Sequence, residues 1–353
     1  MAKSLLDGVW TIDYEHAKEG VWWWWFWLVF LENPENPAKP LQLMCLWSTK
    51  KEKRFKVNGV DVRFDQTILR GKGRAVFDGA VASWLYDGRR MHDHFILKQA
   101  PLVLDEGRRS LEADGAGFSE NRGRFKVSIR GEGGSLKFAT RKINGASEPR
   151  QHMNAFLRRF TYKITKVNEL AVEGTLQIGG RRRKVRGTAY FQKVVVKAPV
   201  MPWLWSIVHF RDGSFLSYFC PRVGQSLVNR DVGSLHNNLL FKSKLEFFCA
   251  QDGSYREFRP CRISSRRVGG RPVWTFKARS EGESLEAELR SYAETSWKIQ
   301  NGLADIFKNA LHYDEYCVAA TRLDFRRRGK PAYTLEDAGA GFGNAEHAWG
   351  FLI

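Results

Sequence analysis

The stretch GVWWWWFWLVFL, residues Gly20 to Leu31, places five tryptophans within six consecutive positions. This apolar run is too short to cross a bilayer as a helix, which needs about 20 residues. No small-residue cleavage site follows it, as a signal peptide would require. Aromatic and β-branched residues favour a β-strand, whose two faces would carry Trp22, Trp24 and Phe26 on one side and Trp23, Trp25 and Trp27 on the other. Because both faces are apolar, we expect this strand to be buried on both.

The composition is typical of a folded protein. A chain of 353 residues with 43% apolar residues is long enough for two domains. Its five cysteines are odd in number and lack the CxxC spacing of a zinc ribbon, so we expect free thiols and a reducing compartment. No targeting segment is visible, and we therefore expect a cytoplasmic protein.

The chain is strongly basic. Its 57 lysines and arginines outnumber 38 acidic residues, which gives a formal net charge of +19. Such a charge favours weak association with anionic surfaces or an acidic ligand. The excess lies in three clusters, namely Arg181–Lys184, Ser264–Arg271 and Arg326–Arg328. They lack a nucleic-acid-binding motif and interleaved aromatic residues, so we expect solvated loops and strand ends here and no specific nucleic-acid partner.

Turn signals dominate the rest of the sequence. Asp-Gly or Asn-Gly pairs, which suit tight hairpins, begin at Asp7, Asn58, Asp78, Asp87, Asp114, Asn144, Asp212, Asp252 and Asn301. Short alternating runs such as FKVSIR, residues 125–130, lie between them. The pattern indicates an all-β protein of antiparallel strands. We expect two β domains, residues 1–152 and 153–353, and a few short helices, with candidates at Gly302–Tyr313 and Glu148–Phe160.

The second half of the chain carries motifs that resemble a known family. A glycine-bearing strand, a W-x-W strand, an Asp-Gly turn and a tyrosine-bearing strand are matched by Gly187, Trp203, Trp205, Asp212, Gly213 and Tyr218. The closing segment matches a pattern of spaced glycines and a glutamate at Gly341, Gly343, Glu346 and Gly350. Together with the tryptophan run, these motifs resemble the double-lipocalin superfamily, which includes carotenoid hydratases and lipocalin-like Diels–Alderases.

This resemblance implies two lipocalin-like antiparallel β-barrel domains packed together, with a cavity for a hydrophobic small molecule. The cavity walls would be Trp22, Trp23, Trp24, Trp25, Trp27, Trp203 and Trp205. The alternative for the tryptophans of the run is that they are core residues that no ligand contacts. Hydratase members have a His-x-Trp pair and a Tyr-x-Asp pair where this chain reads Gln192-Lys193-Val194 and Tyr218-Phe219-Cys220. The acid that would protonate an alkene is therefore absent from its family position. Gln192 and Tyr218 are the polar candidates there.

Further polar residues are candidates for chemistry. His209 shares a strand face with Trp203 and Trp205 by period two, and is either a proton donor at the cavity or a core histidine. Glu346 and Glu315 lie in apolar closing strands, where burial would raise the pKa of a carboxyl group and make it a general acid. A cross-strand ion pair with an arginine is the alternative for either glutamate.

The sequence lacks the motifs of several enzyme classes. His92 and His94 are spaced to share a strand face, but a third metal ligand is not evident, and we expect no metal and no cofactor. A P-loop, a GxSxG elbow, an HExxH motif and a dinucleotide fingerprint are all missing.

Three functional interpretations follow from these residues. The first is a protein that binds an isoprenoid- or polyketide-like molecule, with or without an acidic head, and promotes its cyclisation, isomerisation or hydration by holding it in a reactive conformation. The second is a non-catalytic carrier or sensor on the same fold. The third is a nucleic-acid or anionic-membrane binder that uses the basic clusters.

Overall fold

The computed structural model describes residues 4–13, 16, 18, 20–50, 55–64, 68–156, 160–197, 202–222, 243–259, 261–301 and 310–350. These residues form antiparallel β-strands almost throughout, and the chain divides into two compact units. Among the residues described, no helix has the length and apolar character that a membrane span requires.

The first unit begins with a 3₁₀ helix at Leu5–Val9. Its strands are β1 (Val21–Leu31), β2 (Leu41–Lys50), β3 (Phe55–Val57), β4 (Val60–Val62), β5 (Leu69–Gly71), β6 (Arg74–Tyr86), β7 (Met91–Asp105), β8 (Ser110–Ala113), β9 (Ala116–Asn121), β10 (Arg124–Gly131), β11 (Gly134–Arg141), β12 (Arg150–Phe156), β13 (Phe160–Ile178) and β14 (Arg181–Lys197). A short 3₁₀ turn, Gly145–Ser147, lies between β11 and β12.

The second unit holds the strands that follow. They are β15 (Trp203–Phe210), β16 (Phe215–Pro221), β17 (Lys244–Cys249), β18 (Ser254–Phe258), β19 (Cys261–Val268), β20 (Arg271–Ser280), β21 (Glu283–Asn301), β22 (Ala310–Arg327), β23 (Lys330–Thr334) and β24 (Gly341–Gly350). One helix, α1 (Leu335–Ala338), precedes β24. The short stretches Asn36–Pro40 and Asn144–Ala146 also belong to this unit.

The tryptophan run forms β1, which pairs on both of its edges. Trp25 lies opposite Trp47 of β2, and Trp27 lies opposite Phe191 of β14. The ladder runs β11-β10-β9-β8-β7-β6-β2-β1-β14-β13, and β13 also pairs with β11, so these ten strands close into a barrel. Every side chain from Trp25 to Leu31 is buried. The predicted strand, buried on both faces, is therefore confirmed over most of its length.

Trp27 is the centre of an aromatic cluster inside this barrel. Its ring lies 4.7 Å from Phe191, 5.2 Å from Phe125, 5.7 Å from Phe138 and 5.9 Å from Phe118, measured between ring centroids. Three of these contacts are edge-to-face, an arrangement that adds about 0.5–1.5 kcal/mol per pair to the burial of apolar surface. Side chains of the barrel itself therefore fill this part of its interior.

The N-terminal 3₁₀ segment is held by hydrogen bonds to two side chains of the barrel. Trp25 Nε1 donates to the carbonyl of Val9 at 3.0 Å. Lys193 Nζ donates to the carbonyls of Gly8 and Thr11 at 2.9 and 2.8 Å, and lies 5.2 Å from the centroid of the Trp25 ring. Burial lowers the pKa of Lys193 to about 7, because the charged ammonium loses its hydration.

The second unit is built on one sheet with the strand order β18-β17-β16-β15-β24-β22-β21-β20-β19, and β23 pairs with β22. Its hydrophobic core includes Phe258 from one edge strand and Cys261 and Ile263 from the other. Since both edges contribute to the same core, the sheet curls around it. The structure is thus all-β and divided into two units, as the sequence predicts; the first unit is a closed barrel and the second a curled sheet.

The structure places the division between the units later than the sequence predicts. The sequence suggests a division after residue 152, because a new hairpin pattern starts at Phe160. In the structure this hairpin is β13–β14, which pairs with β11 on one side and β1 on the other. Those pairings close the first barrel, so both strands belong to the first unit. A hairpin pattern alone does not indicate which neighbouring sheet the hairpin joins.

The predicted helix at Glu148–Phe160 is wrong. Arg150–Phe156 is the strand β12, in which Gln151 lies opposite Thr165 of β13. Cross-strand pairing outweighs the weak helical spacing of this segment. In the other helix candidate, residues 302–309 lie outside the described residues, and Ala310–Tyr313 begin the strand β22.

Replacing Lys193 by methionine should change how the stability of the protein depends on pH. The folded protein holds the Lys193 pKa at about 7, below the usual 10.5, so between these values the unfolded chain binds one more proton. The free energy of unfolding of the wild type should therefore rise with pH relative to Lys193→Met, by up to about 1.4 kcal/mol per pH unit. Denaturant unfolding of both proteins at pH 7, 8 and 9 measures the difference. Parallel curves would contradict the assigned burial.

Candidate functional site

One face of the second sheet brings together polar side chains from four adjacent strands. The strand register aligns four residues in one cross-strand row, namely Trp205, Glu346, Glu315 and Thr295. The neighbouring rows add Trp203, Ala348 and Tyr313 on one side and Ile207, Asn344 and Cys317 on the other. This face is opposite to the hydrophobic core of the unit, to which β15 contributes Leu204 and Val208.

Two carboxyl groups are the centre of this surface. Glu346 and Glu315 are direct cross-strand neighbours, and both are buried. Trp203 Nε1 donates to Glu346 Oε2 at 2.8 Å, and Asn344 Nδ2 donates to Glu315 Oε2 at 3.3 Å. The Tyr313 hydroxyl is in hydrogen-bond contact with both glutamates. The arrangement is therefore an acid pair surrounded by neutral donors.

Burial sets the protonation of Glu346. It raises the pKa of Glu346 to about 7, because the carboxylate loses hydration, while the hydrogen bonds from Tyr313 and Trp203 offset part of this effect. Burial and the two neighbouring glutamates raise the pKa of Tyr313 well above its usual value, so it stays a neutral phenol. Near neutral pH, Glu346 can thus donate a proton, and the same two donors stabilise the carboxylate that remains.

The rings of Trp203 and Tyr313 form the accessible edge of the site. Their centroids are 5.5 Å apart, and both residues are half-buried. At this surface, Thr295 Oγ1 and Asn344 Oδ1 are buried and lack a hydrogen-bond partner among the described residues. Buried polar atoms are normally paired, so this surface has spare hydrogen-bonding capacity beside an apolar edge.

The sequence identified only part of this cluster. Glu346, Glu315, Trp203 and Trp205 lie together, whereas Tyr313 and Asn344 were missed. Each missed residue precedes one of the glutamates by two positions, so the two-residue period of a strand would have found them.

The other predicted catalytic residues lie elsewhere. His209 is buried on the same strand as Trp203 and Trp205, and the two-residue period of the strand places all three on one face. Its cross-strand neighbour is Phe342. Tyr218 belongs to the hydrophobic core of the second unit, with its ring 5.1 Å from Phe276. Burial raises its pKa well above the usual value.

Gln192 lies in the first unit. It is half-buried on β14, opposite Phe26, and accepts a hydrogen bond from the Tyr190 hydroxyl at 2.8 Å. Its side-chain oxygen therefore belongs to a local contact within that barrel.

The five tryptophans of β1 divide into two sets. Trp23, Trp25 and Trp27 belong to the hydrophobic core of the first barrel. Trp22 and Trp24 are half-buried on the other face, with their ring centroids 5.5 Å apart, and Trp22 Nε1 donates to Ser48 Oγ at 2.5 Å. The first set has a packing role, and the second set presents indole surface.

The histidine pair on β7 makes separate polar contacts. His92 Nε2 lies 2.8 Å from Asp87 Oδ2, and His94 Nε2 lies 2.8 Å from Asn58 Nδ2. Within the part of the chain that the structure describes, no group of three or more His, Cys, Asp or Glu side chains is placed to hold a metal ion.

Comparisons with known proteins concern the fold. No protein-family model matches the sequence, and no curated protein matches it. A protein from Nitrosomonas europaea that is provisionally assigned as AttH has a TM-score of 0.49 and 16% identity, over 97% of this chain and 98% of its own. Kievitone hydratase from Nectria haematococca has a TM-score of 0.45 and 10% identity, over 96% and 93%.

CghA, solved with Sch210972, has a TM-score of 0.48 and 9% identity, over 94% of this chain and 88% of its own. Similarity at this level identifies no residue and no reaction.

Glu346→Gln should remove one source of pH dependence in stability. Because the folded pKa of Glu346 is about 7 and its usual value is 4.5, the folded protein binds the extra proton between these values. The free energy of unfolding of the wild type should therefore fall, relative to Glu346→Gln, as pH rises from 4.5 to 8, by about 3 kcal/mol in total. Denaturant unfolding across this range is the measurement, with the exposed Glu336→Gln as control. A similar change in both variants would contradict the assignment.

Proposed function

We propose that the chain binds an apolar small molecule against Trp203 and Tyr313 and promotes its reaction by proton donation from Glu346. The observation that supports this most directly is the buried acid pair, in which Glu346 has a pKa of about 7 and two neutral hydrogen-bond donors. A carboxylic acid that is neutral near pH 7 is suited to general acid catalysis.

The proposed chemistry begins with an oxygen or an alkene carbon of the guest placed beside Glu346. Transfer of the acid proton creates positive charge on the guest and a carboxylate on the protein. The indole N–H of Trp203 and the hydroxyl of Tyr313 are already placed to stabilise that carboxylate. Preorganised donors of this kind lower the barrier because they need no reorganisation during the reaction.

The side chains around the acid favour particular guests. Indole and phenol rings offer rigid apolar walls, which suit an isoprenoid- or polyketide-like molecule. The unpartnered Thr295 hydroxyl would donate to a carbonyl group of that guest, and the unpartnered Asn344 Oδ1 would accept from a hydroxyl group. Cyclisation, isomerisation or hydration of such a molecule each fits a single proton donor in an apolar setting.

A carrier or sensor is the second candidate function. It is favoured by the residues at the family's catalytic positions, where Gln192 and Tyr218 make local contacts within their own units. In that case Glu346 would only donate a hydrogen bond to the bound molecule, and the molecule would be released unchanged.

Trp203→Ala should weaken retention of an apolar guest, because it removes one wall and one donor to Glu346. The measurement is native mass spectrometry after incubation with a lipid and metabolite extract, followed by identification of the bound compound. Trp349→Ala is the matched control, since Trp349 is also half-buried on this sheet. It lies three residues from Glu346 on β24, so the two are on opposite faces of the strand. Retention by both variants, or its loss in both, would overturn the proposed site.

Glu346→Gln should keep the guest and lose its conversion. Turnover by the wild type should fall about tenfold per pH unit above pH 7, as the Glu346 acid is deprotonated. Product formation from the compound identified by mass spectrometry is followed from pH 5 to 9. Recovery of unchanged compound from the wild type would favour the carrier instead.

A further inference from the structure

The outer surface of the first barrel contains a polar depression of about 510 Å³ that the small-molecule site does not use. Its cationic and hydrogen-bonding side chains are Arg130, Ser135, Lys137, Thr175, Gln177 and Arg182. Three glycines complete the lining, and at one of them, Gly134, a side chain would crowd the carbonyl of Gln177. Among the described residues that line it, none is acidic and none is aromatic.

The strand register explains how these residues meet. Arg130 of β10 lies opposite Ser135 of β11, which lies opposite Gln177 of β13. Gln177 in turn lies opposite Arg182 of β14. The adjacent row contains Lys137 opposite Thr175. The intervening residues Ile129, Leu136 and Leu176 belong to the barrel core, so alternation directs both rows outwards.

The charge of this depression is not balanced by acids. Within the part of the chain that the structure describes, Arg130, Lys137 and Arg182 make no ion pair. The other two basic clusters differ from it. Arg266 pairs with Glu288 at 3.0 Å, and Arg327 pairs with Asp252 at 3.2 Å. Each of the other two basic clusters thus has at least one arginine paired with an acid, whereas the three cations of the depression have no such partner among the described residues.

The spacing of the cations indicates what they can hold. Arg130 and Arg182 are three strand spacings apart, about 14 Å between backbones. Each guanidinium can reach inwards and bind phosphate oxygens in a bidentate manner. Lys137 and the hydroxyl and amide groups of Ser135 and Gln177 lie between them. This set of donors fits an extended anion with several charges better than a single small ion.

We infer that this depression is a binding site for a polyphosphate anion, meaning a molecule with two or more linked phosphate groups. A concave site without apolar residues offers nothing to insert into a lipid bilayer. The absence of aromatic rings from the described lining residues removes the stacking that single-stranded nucleic acids use. Charge and hydrogen bonding are thus the basis of recognition. The inference is independent of the function proposed for Glu346.

Calorimetric titration with inorganic pyrophosphate at low salt tests the site. Arg130→Gln and Arg182→Gln should each raise the dissociation constant about tenfold, because each removes a charge-assisted bidentate contact. Arg124→Gln is the matched control, since Arg124 is exposed on the same strand and at a position of the same parity, about 20 Å from Arg130. It should change the constant by less than about twofold.

Parallel titrations use phosphatidylserine-containing vesicles and a single-stranded oligonucleotide. Weaker binding of these two probes than of pyrophosphate supports the inference. Lack of pyrophosphate binding by the wild type, or equal weakening by Arg124→Gln and Arg130→Gln, would overturn it. Vesicle or oligonucleotide binding that depends on Arg130 and Arg182 without pyrophosphate binding would also overturn it and would indicate a macromolecular partner.

Discussion

Burial of β1 on both faces is the constraint on which the first unit depends. The strand pairs with β2 and β14 at once, and its inward tryptophans occupy the middle of the barrel. Trp27 contacts phenylalanines from β9, β10, β11 and β14, so one side chain links strands far apart in the sequence. Such long-range contacts become available only when β13 and β14 close the ladder, which makes closure and core packing a single cooperative event.

Burial also controls the chemistry of both units, in opposite directions. It raises the pKa of the acid Glu346 and lowers that of the amine Lys193, and brings each to about 7. In both cases the low-dielectric surroundings disfavour the charged form. Lys193 is used to hold the N-terminal segment through two carbonyl groups. Glu346 has donors that stabilise its carboxylate and an aromatic edge beside it, and its proposed role as a proton donor rests on these two features.

The net charge of +19 is less informative than its distribution. Arg326 and Arg327 are offset by acidic side chains, and an aromatic ring supports Arg327. The cations around Arg182 have no such compensation within the described residues. An overall excess of basic residues therefore contains both arginines in ion pairs and cations without acidic partners among the described residues, and only the tertiary structure distinguishes them.

The sequence by itself determined the all-β class, the β1 strand and its double burial, because these follow from local residue types and a two-residue period. It also indicated Glu346 and Glu315 through their positions in apolar closing strands, and Trp203 and Trp205 through the motif that resembles a known family. It did not place the boundary between the units or the strand β12. Both depend on which strands pair with the hairpin β13–β14, and those partners are not encoded within the hairpin's own sequence.

Tertiary structure alone decided which residues meet. Glu315 and Glu346 are cross-strand neighbours because β22 pairs with β24. On the other edge of β24, the strand approaches β15 so closely that a side chain at Gly343 would clash with the carbonyl of Ile207. The same holds for the row that joins Arg130 to Arg182 across four strands. Strand register is a property of the closed fold, since shifting one strand by a residue would turn every side chain to the other face.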